Sequence, residues 1–396
     1  MLKALPNLSI HDMRVLIAGD FCPRDRVSDF FERGDFESVL GSVKPFVSRA
    51  DYAIVNLECP IATKAERPIV KQGPSLKSSS KSIGALSWAG FNCVTLANNH
   101  FLDYGETAVD ETIKSLDTQS IEHIGGGKNL KEASAVLYKN VSNQKIAIIN
   151  CCEHEFSVAS RDVAGTNPLV PIEQYYQIQE AKNKADYLIM IVHGGVEHYQ
   201  YPTKRMVQTY RFFIDAGADV VINHHQHCPC GYEVYNERPI YYGLGNFCFD
   251  WEGRRQSIWN IGYMVNLKLT GEHHVESEII PFRQCDDTPA LEPLKGEDLE
   301  SFNEMLTKLC EPIKDNDILD AKLAEFNIKN DFLYRKMLEP YSGRLGNSLY
   351  RRGVLPTTIN KERILALMDF IVCESHYERV KEFLERQYKR YINEQN

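Results

Sequence analysis

The sequence has no long hydrophobic run. Its longest apolar stretch, YLIMIV at 187–192, falls far short of the ~20 residues that a membrane-crossing helix needs, so no direct membrane insertion is expected. The first residues, MLKALPNLSIHDMRVLIAGD, lack a charged segment followed by a sustained apolar one. No signal peptide is read there, and a cytoplasmic location is expected. Basic residues are also scarce: 45 Lys and Arg stand against 54 Asp and Glu, a net charge of −9. Nucleic acid, which calls for a basic face, is therefore not an expected partner. The 11 cysteines are odd in number and irregularly spaced, with no C-x-x-C pair. That argues against a secreted disulfide framework and for reduced thiols in a core. No internal repeat or low-complexity tract is present.

What is present alternates. Short runs rich in Val, Ile and Ala read as buried strands: RVLIAG (14–19), YAIVNL (52–57), FNCVTLA (91–97), KIAIIN (145–150), YLIMIV (187–192) and DVVIN (219–223). Between them lie helix-like stretches at 37–50, 106–119 and 203–217, the last ending in Ala-Gly, a good helix stop. Strands alternating with helices predict βαβ units and a largely parallel sheet. After residue 235 three strand-like runs, 238–249, 261–269 and 274–282, follow one another without a convincing helix. They are expected to be antiparallel and to complete a second sheet. From about 286 the pattern turns charged and amphipathic, as in 297–313 and 378–392. The expected division is a domain at 1–285 and a helical region at 286–396.

The apolar runs end in polar, metal-competent side chains. RVLIAG leads to Asp20, YAIVNL to Asn56 and Glu58, and FNCVTLA to Asn98, Asn99 and His100. YLIMIV leads to His193 before Gly194-Gly195, and DVVIN to His224, His225 and His227. Ligands of α/β sheets bind outside the carboxyl ends of the strands, so these ends would converge on one crevice. Imidazole, carboxylate and amide donors together suit Mn, Fe or Zn. Two such ions, about 3.5–4 Å apart, would activate water and polarise the oxygen that gathers charge. Each residue alone has a plainer reading. Asp20 could be a turn former, Glu58 a solvated strand end, Asn98 and Asn99 a turn, and His100 or His224 a structural histidine. The argument rests on all five ends agreeing.

The motifs AGDF (18–21), VNLECPI (55–61), LANNHFLDYG (96–105), HGGVEHY (193–199), DAGADVVINHHQH (215–227) and YYGLGNFCFD (241–250) make the chain resemble the CapA family of capsule and poly-γ-glutamate synthesis proteins, within the calcineurin-like metallophosphoesterase superfamily. The resemblance runs over roughly residues 14–282. It implies an α/β fold: a metallophosphoesterase-like two-sheet sandwich flanked by helices, here followed by a C-terminal helical subdomain. It also implies one or two divalent ions. Asp20 and His227 would hold the first; Asn99, His193 and His225 the second, with Glu58 in the bridging place. His100 would donate a proton or stabilise developing charge, and Glu197 would contact substrate; Asn246 reads as structural. Three departures stand out. The superfamily's Asp-x-His reads Asp20-Phe21-Cys22, with Cys22 a conceivable thiolate ligand. Asn223 and Gln226 stand where Gly and Pro are common.

Other features carry less. Asn56 and Asn98 are candidates to contact substrate. Arg254 and Arg255 could hold an anionic group, or be an exposed loop pair. Gly125-Gly126-Gly127 reads as a turn rather than a phosphate cradle. Tyr334, Arg335, Lys336, Tyr341, Arg344 and Tyr350 interleave base and ring. They could line a cleft for an acidic polymer, although a solvated helical face is the preferred reading. The leading expectation is a metal-dependent hydrolase in cell-surface polymer synthesis, acting on a small-molecule or polymer-linked anionic substrate. It would work alone, as a homo-oligomer or in a biosynthetic complex. Two alternatives are a metal-independent acid/base enzyme of epimerase type using His100, His193 or Glu197, and a non-catalytic polymer-binding or scaffold subunit.

Overall fold

The computed structural model of the protein describes residues 12–64, 67–141, 144–270, 274–341 and 343–393. Contacts divide it into two compact units, with the boundary between Ala321 and Lys322. That boundary falls inside the helix Asn316–Leu338. No helix among the described residues is long and apolar enough to cross a membrane.

In the first unit β1 (Met13–Phe21), β2 (Tyr52–Leu57), β3 (Cys93–Thr95) and β4 (Glu122–Ile124) lie side by side and parallel. The chain then runs through β5 (Gly126–Gly127), β6 (Leu137–Val141), β7 (Gln144–Cys152), β8 (Gly165–Thr166), β9 (Tyr187–His193), β10 (Val220–His224), β11 (Tyr232–Tyr235) and β12 (Arg238–Tyr241). β5 and β8 pair with each other; the rest form a second sheet in the order β11-β12-β10-β9-β7-β6. Finally β13 (Asn246–Cys248), β14 (Ile261–Thr270), β15 (His274–Gln284) and β16 (Leu291–Pro293) return to the first sheet.

The strands read as unbroken apolar runs because both of their faces are covered. Successive side chains point to opposite faces. Val15 and Ile17 of β1 and Ile189 and Ile191 of β9 meet between the two sheets. Leu16 and Ala18 face helices on the outside of the first sheet, and Leu188, Met190 and Val192 face helices on the outside of the second. One of those outer helices, Lys204–Ala216, starts where the Thr203 hydroxyl accepts from the Met206 N–H at 3.3 Å. It stops at Gly217, whose φ is +123°.

Three expectations are corrected. The strands after 235 do not complete the second sheet as an antiparallel set. β12 joins it parallel to β10, β13 crosses over to run parallel with β1, and β14 and β15 extend the first sheet. The run at 238–249 is thus two strands, separated where Gly243 and Gly245 let the chain change sheets. Second, the helical pattern beginning near 286 is not yet the C-terminal unit. β16 pairs with β15, and Phe302 and Leu306 of the helix Gly296–Cys310 are buried in the core between the sheets. Third, Gly126 and Gly127 form a short strand rather than a turn.

The second unit is built of helices, among them Gly343–Arg351, Lys361–Val372 and Glu374–Asn393. Its buried polar anchor is Glu339, whose carboxylate accepts from the Thr358 N–H at 2.9 Å and the Tyr350 hydroxyl at 3.1 Å. The side chains of Tyr334, Arg335 and Lys336 lie outside the described residues.

Candidate metal centre

The strands β1, β2 and β3 share one direction, and so do β9 and β10. Their carboxyl ends carry the polar side chains picked out in the sequence, and the fold gathers them in one place.

Asp20 comes first. The β1–β2 register slips between Ala18 and Asp20, a bulge that re-aims the side chain. Gly19 permits it, since a methyl group there would run into the Gly245 carbonyl. Asp20 Oδ1 accepts from Asn56 Nδ2 at 2.7 Å, and Oδ2 accepts from the His225 N–H at 3.2 Å. His227 Nδ1 lies 3.4 Å from Oδ2. Burial alone would raise the Asp20 carboxyl; the hydrogen-bonding His227 and the nearby His193 outweigh it and hold it well below the usual range.

Glu58 is fully buried, and neither of its carboxylate oxygens has a hydrogen-bond partner. Its Oε1 is 3.4 Å from His227 Nε2 and 4.0 Å from His193 Nε2. Burial pushes its carboxyl well above the usual range, against the pull of His227. The effect on His227 is the reverse: burial opposes its charge, but Glu58 and Asp20 lift the ring to about 10. With only protons available, His227 is the cation between two carboxyls. Asp20, Glu58 and His227 offer donor atoms all within 4.8 Å of one another.

A second donor group adjoins the first. His193 Nε2 lies 3.1 Å from Asn99 Oδ1 and 3.1 Å from His225 Nδ1. One ring hydrogen can serve only one of those neighbours; a cation serves all three. Burial, and then His225, push the His193 ring well below its usual range, so it is neutral and able to ligate. A fully buried carboxylate with no donor costs several kcal/mol unless a cation compensates it. The donor set therefore fits one ion held by Asp20, Glu58 and His227, and a second by Asn99, His193 and His225 with Glu58 shared. Oxygen and imidazole donors without thiolate suit Mn, Fe or Zn.

The loop carrying His225 and His227 holds both residues at positive φ, +100° and +57°. For non-glycine residues that is strained, and the two departures noted above account for its persistence. The buried Asn223 side chain donates to the Gly194 carbonyl and to Gln226 Oε1, both at 2.8 Å, and accepts from the Tyr210 hydroxyl at 2.7 Å. Gln226 in turn donates to the Tyr242 carbonyl at 2.8 Å. Gly195, at φ +110°, has no room for a Cβ against Gln226 and Met206, each 2.9 Å away. Asn246 is part of the same support: its Oδ1 accepts from His227 Nδ1 at 2.9 Å, which leaves Nε2 toward Glu58. An outer partner of this kind orients a ligating histidine.

His100 stands beside the donor set. Its Nδ1 donates to Asp103 Oδ2 at 2.7 Å, and the buried Lys71 ammonium pairs with the other Asp103 oxygen. Asn98 Oδ1 accepts from the His100 N–H at 3.1 Å, and Asn98 Nδ2 reaches Asn56 Oδ1 at 3.4 Å. Asp103 was missed in the sequence; its spacing of three from His100 in LANNHFLDYG was the available signal. Asn56 and Asn98 are thus internal braces of the site. Glu197 is half-exposed at the rim; among the described residues no hydrogen bond joins it to the donor set, and its carboxylate lies 3.9 Å from His198 Nε2.

Two candidates are placed elsewhere. Arg255 does not face the centre: its guanidinium bonds the buried Asp250 at 3.1 and 3.2 Å, sharing that carboxylate with Arg26. Cys22 packs with Cys59, Leu76 and Phe249 rather than among the donors, and burial with the Cys59 contact pushes its thiol well up, so a thiolate there is disfavoured. Arg254 remains near the centre, against His198 and Trp259.

The fold and the site define a two-sheet α/β protein with a candidate metal centre at its strand ends. The chain belongs to the bacterial capsule synthesis protein family PGA_cap, which it matches over residues 14–251. It is 28% identical over 287 residues to the capsule biosynthesis protein CapA of Bacillus anthracis, covering 70% of this chain and 69% of that protein. To the PGA biosynthesis protein CapA of Bacillus subtilis (strain 168) it is 29% identical over 303 residues, 74% of this chain and 78% of the relative. Among solved structures, a phosphatase from Mycoplasma pneumoniae aligns at a TM-score of 0.47 and 16% identity, over 70% of this chain and 96% of that one.

Proposed function

We propose that this protein is a metal-dependent hydrolase, cleaving a phosphoester or related bond in an anionic small-molecule or polymer-linked substrate during cell-surface polymer synthesis. The observation that carries the reading is Glu58: a buried carboxylate with two unpartnered oxygens, set between two groups of lone-pair donors. In an enzyme without metal those oxygens would have only the His227 ring, 3.4 Å from Oε1, to answer their charge.

Bound ions would supply Lewis acidity and a nucleophile at neutral pH. The chain's own residues do the rest. Asp103 accepts from His100 Nδ1 and leaves Nε2 as the free ring nitrogen; burial lowers this ring while Asp103 works to raise it, so Nε2 takes up a proton first and passes it to a leaving group only from the imidazolium that Asp103 stabilises. Lys71 balances the Asp103 charge and keeps that carboxylate from taking the proton itself. The Asn223–Gln226 clamp holds His225 and His227 in their strained positions, so the donors need not reorganise as charge develops.

Elemental analysis of protein purified without chelator tests this, alongside the double variant His225→Ala/His227→Ala. One to two equivalents of Mn, Fe or Zn are expected in the wild type and none in the variant, with hydrolysis of phosphomonoesters or phosphodiesters following the metal. A wild type that carries none and recruits none on addition sinks the reading.

A further inference from the structure

The arginines near the centre are mostly committed. Arg26 and Arg255 share Asp250, and Arg205 pairs with Glu153. Arg254 is different. Among the described residues no carboxylate forms an ion pair with it, and its one side-chain hydrogen bond runs from Nη2 to His198 Nε2 at 3.0 Å. An imidazole that accepts from a guanidinium must be neutral at that nitrogen. Burial and the Arg254 charge together lower the His198 ring to about 4, in keeping with that role.

The geometry is built rather than incidental. His198 is at φ +62°, a strained position for histidine, and its N–H is fixed to the Gln226 carbonyl at 2.8 Å. That carbonyl belongs to the clamp of the histidine loop. The Arg254 guanidinium sits 5.8 Å from the Trp259 ring centre. Trp259 is buried, its indole N–H bonded to the Phe249 carbonyl at 2.9 Å. Its ring lies 4.6 Å from the ring of His227 and 5.7 Å from that of His198. A ring path thus leads from a donor of the centre to an exposed guanidinium whose carbon lies over an indole. Such a fork keeps its remaining N–H groups for an oxyanion. Glu197, 3.9 Å from His198, is the acidic neighbour on this rim.

We propose that Arg254, held by His198 against Trp259, forms a second anion subsite beside the metal centre, and that the substrate carries another oxyanion, a carboxylate or a phosphate, beyond the bond that is cleaved. This rests on the hydrolase reading above and adds to it what the substrate must look like.

The test is equilibrium binding of three non-hydrolysable probes to manganese-loaded full-length protein: phenylphosphonate, 4-carboxyphenylphosphonate and 1,4-phenylenebisphosphonate. The readout is the ratio of affinities, second anion over none. In the wild type this ratio is expected to be about tenfold, the size of one charged hydrogen-bonding contact at a solvated rim. Whichever probe gains more identifies carboxylate or phosphate as the partner group. Arg254→Gln should bring the ratio close to one. Arg254→Lys, which keeps the charge but not the fork, should retain part of it, and so should His198→Gln. Thermal melting and metal content show whether each variant is folded and loaded. If the wild type binds phenylphosphonate yet gains nothing from a second anion, or if Arg254→Gln keeps the full gain, the subsite is overturned and the hydrolase reading stands. If loaded wild type binds no phosphonate at all, the hydrolase reading falls and takes the subsite with it.

Discussion

The two halves of the centre differ in what they do without an ion. The Asp20–Glu58–His227 half contains two carboxyls and resolves their repulsion by lifting His227 to about 10 and raising Glu58. The Asn99–His193–His225 half contains no carboxylate of its own, and its His193 is kept neutral by burial and by His225. The first half is a charged site with a proton standing in for a cation; the second has a neutral His193 with Asn99 and His225 each 3.1 Å from its Nε2. Electrostatics therefore predicts a tighter ion in the first half and a more exchangeable one in the second.

The strongest way to break this comparison is to remove what the halves share. Glu58→Gln keeps the shape and deletes the charge. It should lose both ions and lower hydrolysis by roughly 10³-fold or more, read by elemental analysis and turnover. Retention of one ion would assign Glu58 to a single half. Next, His227→Ala and His225→Ala should separate the halves. In calorimetric manganese titrations the His225 variant should keep one tight site and weaken the other by about 10²-fold, whereas the His227 variant should damage the tighter site. A smaller change, Asn246→Ala, removes only the acceptor on His227 Nδ1. Affinity of the carboxylate half should fall about tenfold while the neutral half is untouched.

The mildest test is pH. In metal-free protein His227 has a folded-state value of about 10 against an ordinary 6.5, so its contribution is complete below the ordinary value and lost as pH rises through 10. His193 is shifted the other way: its contribution is present above the ordinary histidine value and lost as pH falls below it. Chelated protein should therefore melt roughly 5 °C lower near pH 10.5 than near pH 7. The His227→Ala variant should show a flatter alkaline limb, and His193→Ala a flatter acid one. A wild-type alkaline limb already flat would deny the charged character of the first half.

Much of this was legible in the residues. Continuous apolar runs at 52–57 and 187–192 became β2 and β9, because strands covered on both faces have no alternation to hide. The polar residues that follow these runs meet in the fold, as His225 with Asp20 and His193 with Asn99, since parallel strands end on one edge. The failures share a cause. The stretch at 37–50 is two single helical turns, Glu37–Leu40 and Lys44–Val47, not one helix, because Pro45 has no N–H to carry the hydrogen-bond ladder on from Gly41. The strands after 235 were misassigned because short-range pattern cannot say which sheet a strand joins. In the C-terminal helices amphipathic spacing predicted helix correctly. It said nothing of burial: Ile328, Leu345 and Val372 remain exposed.

Sequence by itself determined which side chains would stand at the strand ends, since that depends on a few neighbouring residues and on the direction of a strand. Only the tertiary structure decided what each one meets. The His225 N–H reaches Asp20 across 205 residues, and His193 reaches Asn99 across 94. Arg254 and Arg255 are adjacent in the chain, yet one rests against His198 and Trp259 and the other is bound to Asp250. No local rule separates that pair. Their fates depend on which buried partner the folded chain brings within hydrogen-bonding distance, and that follows from how two sheets pack, not from the order of the residues.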